Sequence, residues 1–150
     1  MMKETNLDRL TIDGFGDEWK RFDQSSLSVN ELSVLFNRYF SIFPWDTLPT
    51  DPVGFDLGCG SGRWAKLVAP RVKKLYCVEP SDAIRVAEKN LSENTNCVFI
   101  KSSVENMPID DNAMDFGYSL GVLHHIPDTQ SALNDCVNKL KTGAPFLVYL

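Results

Sequence analysis

Val53-Gly54-Phe55-Asp56-Leu57-Gly58-Cys59-Gly60-Ser61-Gly62-Arg63-Trp64 is the stretch from which the rest of the chain can be ordered. It reads as a short strand that runs into a glycine-rich turn and then at once into a helix over residues 63–68. Glycines at 58, 60 and 62 stand where a Cβ would block either a positive-φ turn or a close backbone approach. Amides at the start of the following helix lack intrahelical partners and face whatever lies over the turn. Strand, bare loop and helix N-terminus together make a seat for a nucleotide-like ligand.

Spacing narrows the ligand. The dinucleotide pattern G-x-G-x-x-G requires glycine at 63, where Arg63 stands, and the Gly-Lys-Ser/Thr of a phosphate loop is absent. What stands here is Asp56-x-Gly58-x-Gly60-x-Gly62, an acid followed by alternate glycines. That pattern resembles the first motif of class I S-adenosylmethionine-dependent methyltransferases.

Composition sets the frame around this loop. A chain of 150 residues with 43% hydrophobic and 11% aromatic content can fill one core. Its net charge of -5 and the lack of an extended Lys/Arg cluster argue against a nucleic-acid partner. Cys59, Cys77, Cys97 and Cys136 form no C-x-x-C pair and read as buried reduced thiols, which points to the cytoplasm. No signal peptide is evident, and no run approaches the roughly 18 apolar residues of a membrane span.

Taken in order, residues 1–50 read as an N-terminal arm plus an aromatic amphipathic helix, and 51–150 as the ligand-binding core. The arm carries Leu7, Leu10, Ile12, Phe15, Trp19 and Phe22, large side chains expected to pack, with the ligand site as one place for them. Ser28 and Glu31 form a capping box, with Leu27 and Leu32 as its hydrophobic staple. Leu32, Leu35, Phe36, Tyr39, Phe40 and Phe43 then share one stripe at helical spacing, until Pro44, Pro49 and Pro52 lead into the first strand. Residues 74–79 read as a second strand ending in Glu79, 21 positions beyond Gly58. A carboxylate there is placed to accept from two ribose hydroxyls. A helix capped by Ser81 and running to about Leu91, a third strand over 96–101 and a fourth over 113–119 follow. The next helix is expected to turn Leu133, Val137 and Leu140 inward and to stop at Gly143; a fifth strand starts after Pro145. Alternating strands and helices of these lengths predict an α/β, Rossmann-like three-layer sandwich with a mostly parallel sheet.

From Val53 to Leu150 the order of motifs resembles methyltransferases of the ubiquinone/menaquinone type. The stretches that carry the likeness are 56–62, 78–81, 105–108 with Asp115-Phe116, and 121–126. The resemblance implies S-adenosylmethionine as cofactor, with Asp56, Gly58, Cys59, Gly60 and Gly62 around its methionyl part and Glu79 and Pro80 at the ribose. It also implies Ser103 and Val104 at the adenine and Ser119 and Leu120 at the methionine end. Family members carry an acid at the position of Ser103, so a weaker grip or a water bridge is expected here. They also continue past the fifth strand into a helix and a final antiparallel hairpin. That hairpin is lacking here, so a missing C-terminal segment or an oligomer is expected to cover the edge.

Methyl transfer from a sulfonium is an in-line displacement that needs a base only when the acceptor must lose a proton. His124 and His125, the only histidines, are the candidate catalytic residues at the methyl-transfer end, and neighbours of this kind seldom both point into one crevice. The pair has no ligand spacing with any cysteine, so no metal is expected. A small-molecule acceptor is the favoured substrate. A nicotinamide-dependent oxidoreductase and a non-catalytic binding module of the same fold are the alternatives.

Overall fold

The computed structural model describes residues 6, 8–14 and 28–150, so Leu7, Phe15, Trp19, Phe22 and Leu27 lie outside the described residues. Among the described residues five strands form one sheet: β1 (Val53–Leu57), β2 (Lys74–Val78), β3 (Cys97–Ile100), β4 (Phe116–Leu120) and β5 (Phe146–Tyr149). Their order is β3-β2-β1-β4-β5, and every pairing is parallel, so the sheet is parallel throughout rather than mostly so.

β1 lies at the centre, and the sequence shows why it fits there. Gly54 pairs with Phe116 and Phe55 with Gly117 across β1 and β4. A Cβ on Gly54 would overlap the Phe116 ring, and one on Gly117 would reach the Phe55 ring at 2.5 Å. The two rings point to opposite faces, because successive residues in a strand do. Phe116 joins one apolar cluster with Phe36, Phe40, Trp64 and Leu75; Phe55 joins the other with Leu57, Val78, Leu123 and Ala132. Each glycine thus makes the space that its partner's ring fills.

The first face is covered by α1 (Val29–Tyr39), α2 (Ala65–Val68) and α3 (Ala83–Asn90). The capping box forms as read: Glu31 N–H donates to Ser28 Oγ at 3.2 Å and Ser28 N–H to Glu31 Oε2 at 2.9 Å. The Ser28 N–H and the Ser28 hydroxyl, both donating to Glu31 Oε2, hold that carboxyl below its usual range. Phe36 and Phe40 stack at 4.3 Å, and Phe40 meets the buried Tyr118 edge-on at 5.2 Å, so α1 belongs to the sheet's own core. α2 is shorter than the expected 63–68 and passes into a 3-10 turn, Ala69–Arg71, at Pro70. α3 starts at Ala83 with Asp82 as its cap residue, one position later than the expected cap Ser81, whose Oγ accepts from Ala83 N–H at 3.1 Å.

The second face is covered by α4 (Thr129–Lys139) and the loops before it. Asp128 caps α4, accepting from Ser131 N–H at 2.9 Å. Val137 does not face inward as expected: it is 51% exposed, while Ala132, Cys136 and Leu140 are buried. The inward row steps by four from Ala132, so small residues sit against the sheet and Val137 is carried to solvent. The helix ends at Lys139 rather than running to Gly143, which turns at φ +81° in the loop beyond. β4 begins three residues later than expected, because the amides of Asn112, Ala113 and Met114 donate to the carbonyls of Asn138 and Lys139 at the end of α4. Asp115 then joins the layers, accepting from Val53 N–H at 2.9 Å and from Lys141 Nζ at 2.8 Å.

Gly54→Ala and Gly117→Ala are each expected to cost about 1–3 kcal/mol by overpacking, read as a lower urea midpoint. Val137→Ala, on the exposed side of α4, is expected to stay within about 0.5 kcal/mol of the parent.

Candidate functional site

The carboxyl ends of β1 and β4 lie where the strand order reverses, the place where ligands bind in open parallel sheets. Gly58 and Cys59 N–H both donate to Val78 O, at 2.7 and 3.1 Å, which folds the loop after β1 across the end of β2. Gly58 must be glycine on two counts: its φ is +74°, and a Cβ would overlap the Val122 side chain. Gly60, also at positive φ, donates its N–H to Glu79 Oε2 at 3.1 Å. Glu79 Oε1 accepts from Ser81 N–H at 3.0 Å. The Glu79 carboxylate therefore ties the loop after β1 to the loop after β2. Each oxygen keeps one further acceptor direction, since a carboxylate offers about four.

One cavity opens at this edge. Its walls come from Leu57 and Gly58, from Glu79 and Pro80, from Ser103 and Val104, and from Leu120 to Val122 with His125 and Ile126. Asn6, Asp8, Thr11 and Ile12 close it from above. Of the residues singled out in the sequence, Gly58, Glu79, Pro80, Ser103, Val104, Leu120 and His125 share this cavity. Gly60 and Gly62 shape the loop behind it: Gly62 packs on α3, where a Cβ would come within 2.6 Å of Leu91 Cδ1. Ser119 is fully buried and donates its hydroxyl to Leu57 O at 3.1 Å, bracing β4 against β1. The Cys59 side chain lies against Cys77, which in turn meets Cys97. Hydrogen bonding to Cys59 and burial push the Cys77 thiol well up, and the Cys77 contact and burial do the same to Cys97. A row of protonated, poorly nucleophilic thiols is packing material.

Asp56 is placed below the loop rather than on the cavity wall, and is 2% exposed. Burial pushes its carboxyl up to about 8, against the opposing influence of the Tyr118 hydroxyl beside it, with the Glu79 charge adding to the rise. Its Oδ2 and the Tyr118 hydroxyl have no hydrogen-bond partner among the described residues. Ser103 accepts from Asn106 Nδ2 at 3.1 Å and keeps its own proton to donate. The two imidazoles lie 3.9 Å apart with both rings exposed, and His125 is the one on the cavity wall. Partial burial and the neighbouring His124 hold His125 below the usual imidazole range, so it is neutral at pH 7 and can accept a proton.

Sequence reasoning gave the ligand site as one place for Ile12 and the arm's other large side chains, but missed the helix start that sets the upper wall. Asp8 and Thr11 carry the signal that would have found it, an Asp at a helix start with a hydroxyl three residues on. Residues 9–14 are helical, capped by Asp8 Oδ1, which accepts from Leu10 and Thr11 N–H at 3.1 and 3.3 Å. Gly121 and Val122, quoted in the stretch 121–126 but given no role of their own there, also line the cavity; Gly121 turns the chain at φ +72°.

A parallel α/β sheet with a glycine loop and an acid at the next strand's tip, both at the switch point, defines a nucleotide-cofactor domain. The chain matches the methyltransferase domain over residues 55–148 and belongs to that family. The family's cofactor is S-adenosylmethionine. A ubiquinone biosynthesis O-methyltransferase of Nitrosomonas europaea is 31% identical over 91 residues, 59% of this chain and 39% of that protein. A tRNA (carboxymethyluridine(34)-5-O)-methyltransferase of Schizosaccharomyces pombe is 26% identical over 107 residues, 69% of this chain and 44% of that protein. The chain thus spans about two-fifths of the length of these curated relatives. Among solved structures, a putative S-adenosyl-L-methionine-dependent methyltransferase of Methanococcus maripaludis shares the fold with a TM-score of 0.69. It is 19% identical, over 99% of this chain and 65% of that one. The residues present fit the cofactor: the Glu79 carboxylate has acceptor directions to spare at the cavity, and Gly58 offers a wall without a side chain.

Asp56 makes stability depend on pH. A carboxyl whose pKa is higher in the folded state takes up a proton on folding, so its contribution is complete below about pH 4 and is lost as pH rises through about 8. Urea unfolding between pH 5 and 8 is expected to show this decline, with a slope of at most about 1.4 kcal/mol per pH unit from this group. Asp56→Asn, which stays neutral, is expected to flatten it.

Proposed function

We propose that this domain binds S-adenosylmethionine in the cavity beside Glu79 and directs its methyl group to a small-molecule acceptor. The observation that carries the reading is Glu79, held by Gly60 and Ser81 amides on a wall it shares with Gly58, Pro80 and Val104. In this reading the spare acceptor directions of Glu79 take two ribose hydroxyls, while Pro80 and Val104 flank the base and Ser103 meets its polar edge. Gly58, Leu120 and Gly121 border the methionine end. When bound, the cofactor supplies an electrophilic methyl on a sulfonium. The protein's share is to hold the acceptor in line and keep water out, and positioning of that kind is worth about 7–11 kcal/mol.

His125, neutral and on the cavity wall, is the base for an acceptor that carries a proton; His124 outside the wall lowers its basicity. Apolar Leu57, Val104, Leu120, Val122 and Ile126 suit an acceptor with an apolar body. The relative named as a ubiquinone biosynthesis enzyme and the net charge of -5 support a small molecule over a nucleic acid. Four free cysteines among the described residues suit the cytoplasm, and no described helix is long and apolar enough to cross a membrane. Ile42 and Tyr149, 80% and 53% exposed beside the outer edge of β5, support a further segment or second copy covering that edge.

Calorimetric titration with S-adenosylhomocysteine tests the cofactor. The parent chain is expected to bind, Glu79→Ala to bind roughly 10–100-fold more weakly, and Gly60→Val not at all. Protection by nicotinamide dinucleotides instead would overturn the reading, and binding without turnover on any acceptor would make the domain a binding module. With an acceptor in hand, His125→Gln is expected to lower kcat by about 100-fold or more and to remove the acid limb of the pH profile, while His124→Gln leaves kcat nearly unchanged and moves the acid limb to higher pH.

A further inference from the structure

Asn6 and Asp128 are 122 positions apart, yet they form a reciprocal pair. Asn6 Nδ2 donates to Asp128 O at 2.9 Å, and Asp128 N–H donates to Asn6 Oδ1 at 2.7 Å. Asn6 N–H also donates to Glu105 Oε2 at 3.3 Å. One residue thus bridges the loop after β3 and the loop before α4, on either side of the cavity. A side-chain amide can both donate to and accept from the backbone of one residue in this way, whereas a carboxylate only accepts.

Past this anchor the backbone is shaped to roof the cavity. Asp8 Oδ2 accepts from the Thr11 hydroxyl at 2.6 Å, completing the cap that turns residues 9–14 into a helix. Thr11 and Ile12 then face the cavity, half-buried, while Leu10 points to solvent at 86% exposure. This roof shares one cavity with Gly58, Glu79, Val104 and His125. The bonds that hold it are exposed to water, so each is weak, and none of them is made to a strand of the sheet.

We propose that Asn6 is a positioning residue: its pairing with Asp128 latches Asn6, Asp8, Thr11 and Ile12 as a strap over the cofactor cavity, and the strap releases for cofactor exchange. The proposal rests on the cofactor reading above. A latch leaves a kinetic signature that a simple contact does not. Loss of a contact raises dissociation alone, whereas loss of a latch on a closed roof raises association and dissociation together.

Stopped-flow binding of S-adenosylhomocysteine to the parent, Asn6→Ala, Asn6→Asp and Leu10→Ala supplies the test, with amide hydrogen exchange on each. Asn6→Ala is expected to speed both rates roughly 10-fold or more and to speed exchange at the Asp128 amide, with exchange in β1 and β4 unchanged. Asn6→Asp, which keeps the acceptor and loses the donor, is expected to fall between, and Leu10→Ala to match the parent. Unchanged Asp128 exchange in Asn6→Ala would overturn the latch. Faster Asp128 exchange with unchanged binding rates would overturn its role in cofactor exchange. A parent that binds no S-adenosylhomocysteine would overturn the cofactor reading itself, and faster Asp128 exchange in Asn6→Ala would then uphold the latch as a structural lock alone.

Discussion

The interlock of Gly54 with Phe116 and of Phe55 with Gly117 is the constraint on which the remainder depends. A central strand in a parallel sheet is covered on both faces and paired on both edges, so its side chains must fit without slack. Here two glycines on paired strands each admit the other strand's ring, one on each face. The arrangement allows β1 and β4 to lie side by side with large aromatics both above and below. It also fixes their register, since a slip of one residue would set ring against ring and send each to the wrong face. The switch point between these strands, and the cavity over it, exist because that register holds.

Around the cavity the polar groups divide by their surroundings. Glu79 accepts two backbone amides and so stitches consecutive loops together. Asp56, one layer below, has an oxygen with no described partner, and burial there favours its neutral form. Two acids within one motif region thus do different physical work. One shapes and lines the cavity, while the other is a buried group beneath the loop whose cost the fold tolerates beside Tyr118. Ser119 shows the same division on β4, where its hydroxyl serves the Leu57 carbonyl rather than the cavity.

Much of this was legible from local pattern. The capping box at Ser28 and Glu31, the aromatic stripe of α1, the glycine loop and the acid closing β2 all depend on residues near one another in sequence, where spacing translates directly into geometry. Val137 shows the limit: helical spacing gave it the same standing as Leu133 and Leu140, but the sheet's close approach selected Ala132 and Cys136 for the inner row. β4 began late for a related reason, because the end of α4 took the amides of residues 112–114. Neither competition is visible in a local window.

The sequence by itself determined the alternation of strands and helices, the placing of a nucleotide-type loop after β1, and an acid at the tip of β2. These follow from periodicity, from the conformational freedom of glycine and from fixed spacing. Only the tertiary structure decided which candidates reach the cavity: Glu79, Val104 and His125 do, while Asp56, Ser119 and His124 do not. It alone brought Asn6 to Asp128 and set Asp8, Thr11 and Ile12 over the site. The reason is that pairing across 122 positions depends on where the sheet sets two distant loops, and no short-range pattern encodes that distance.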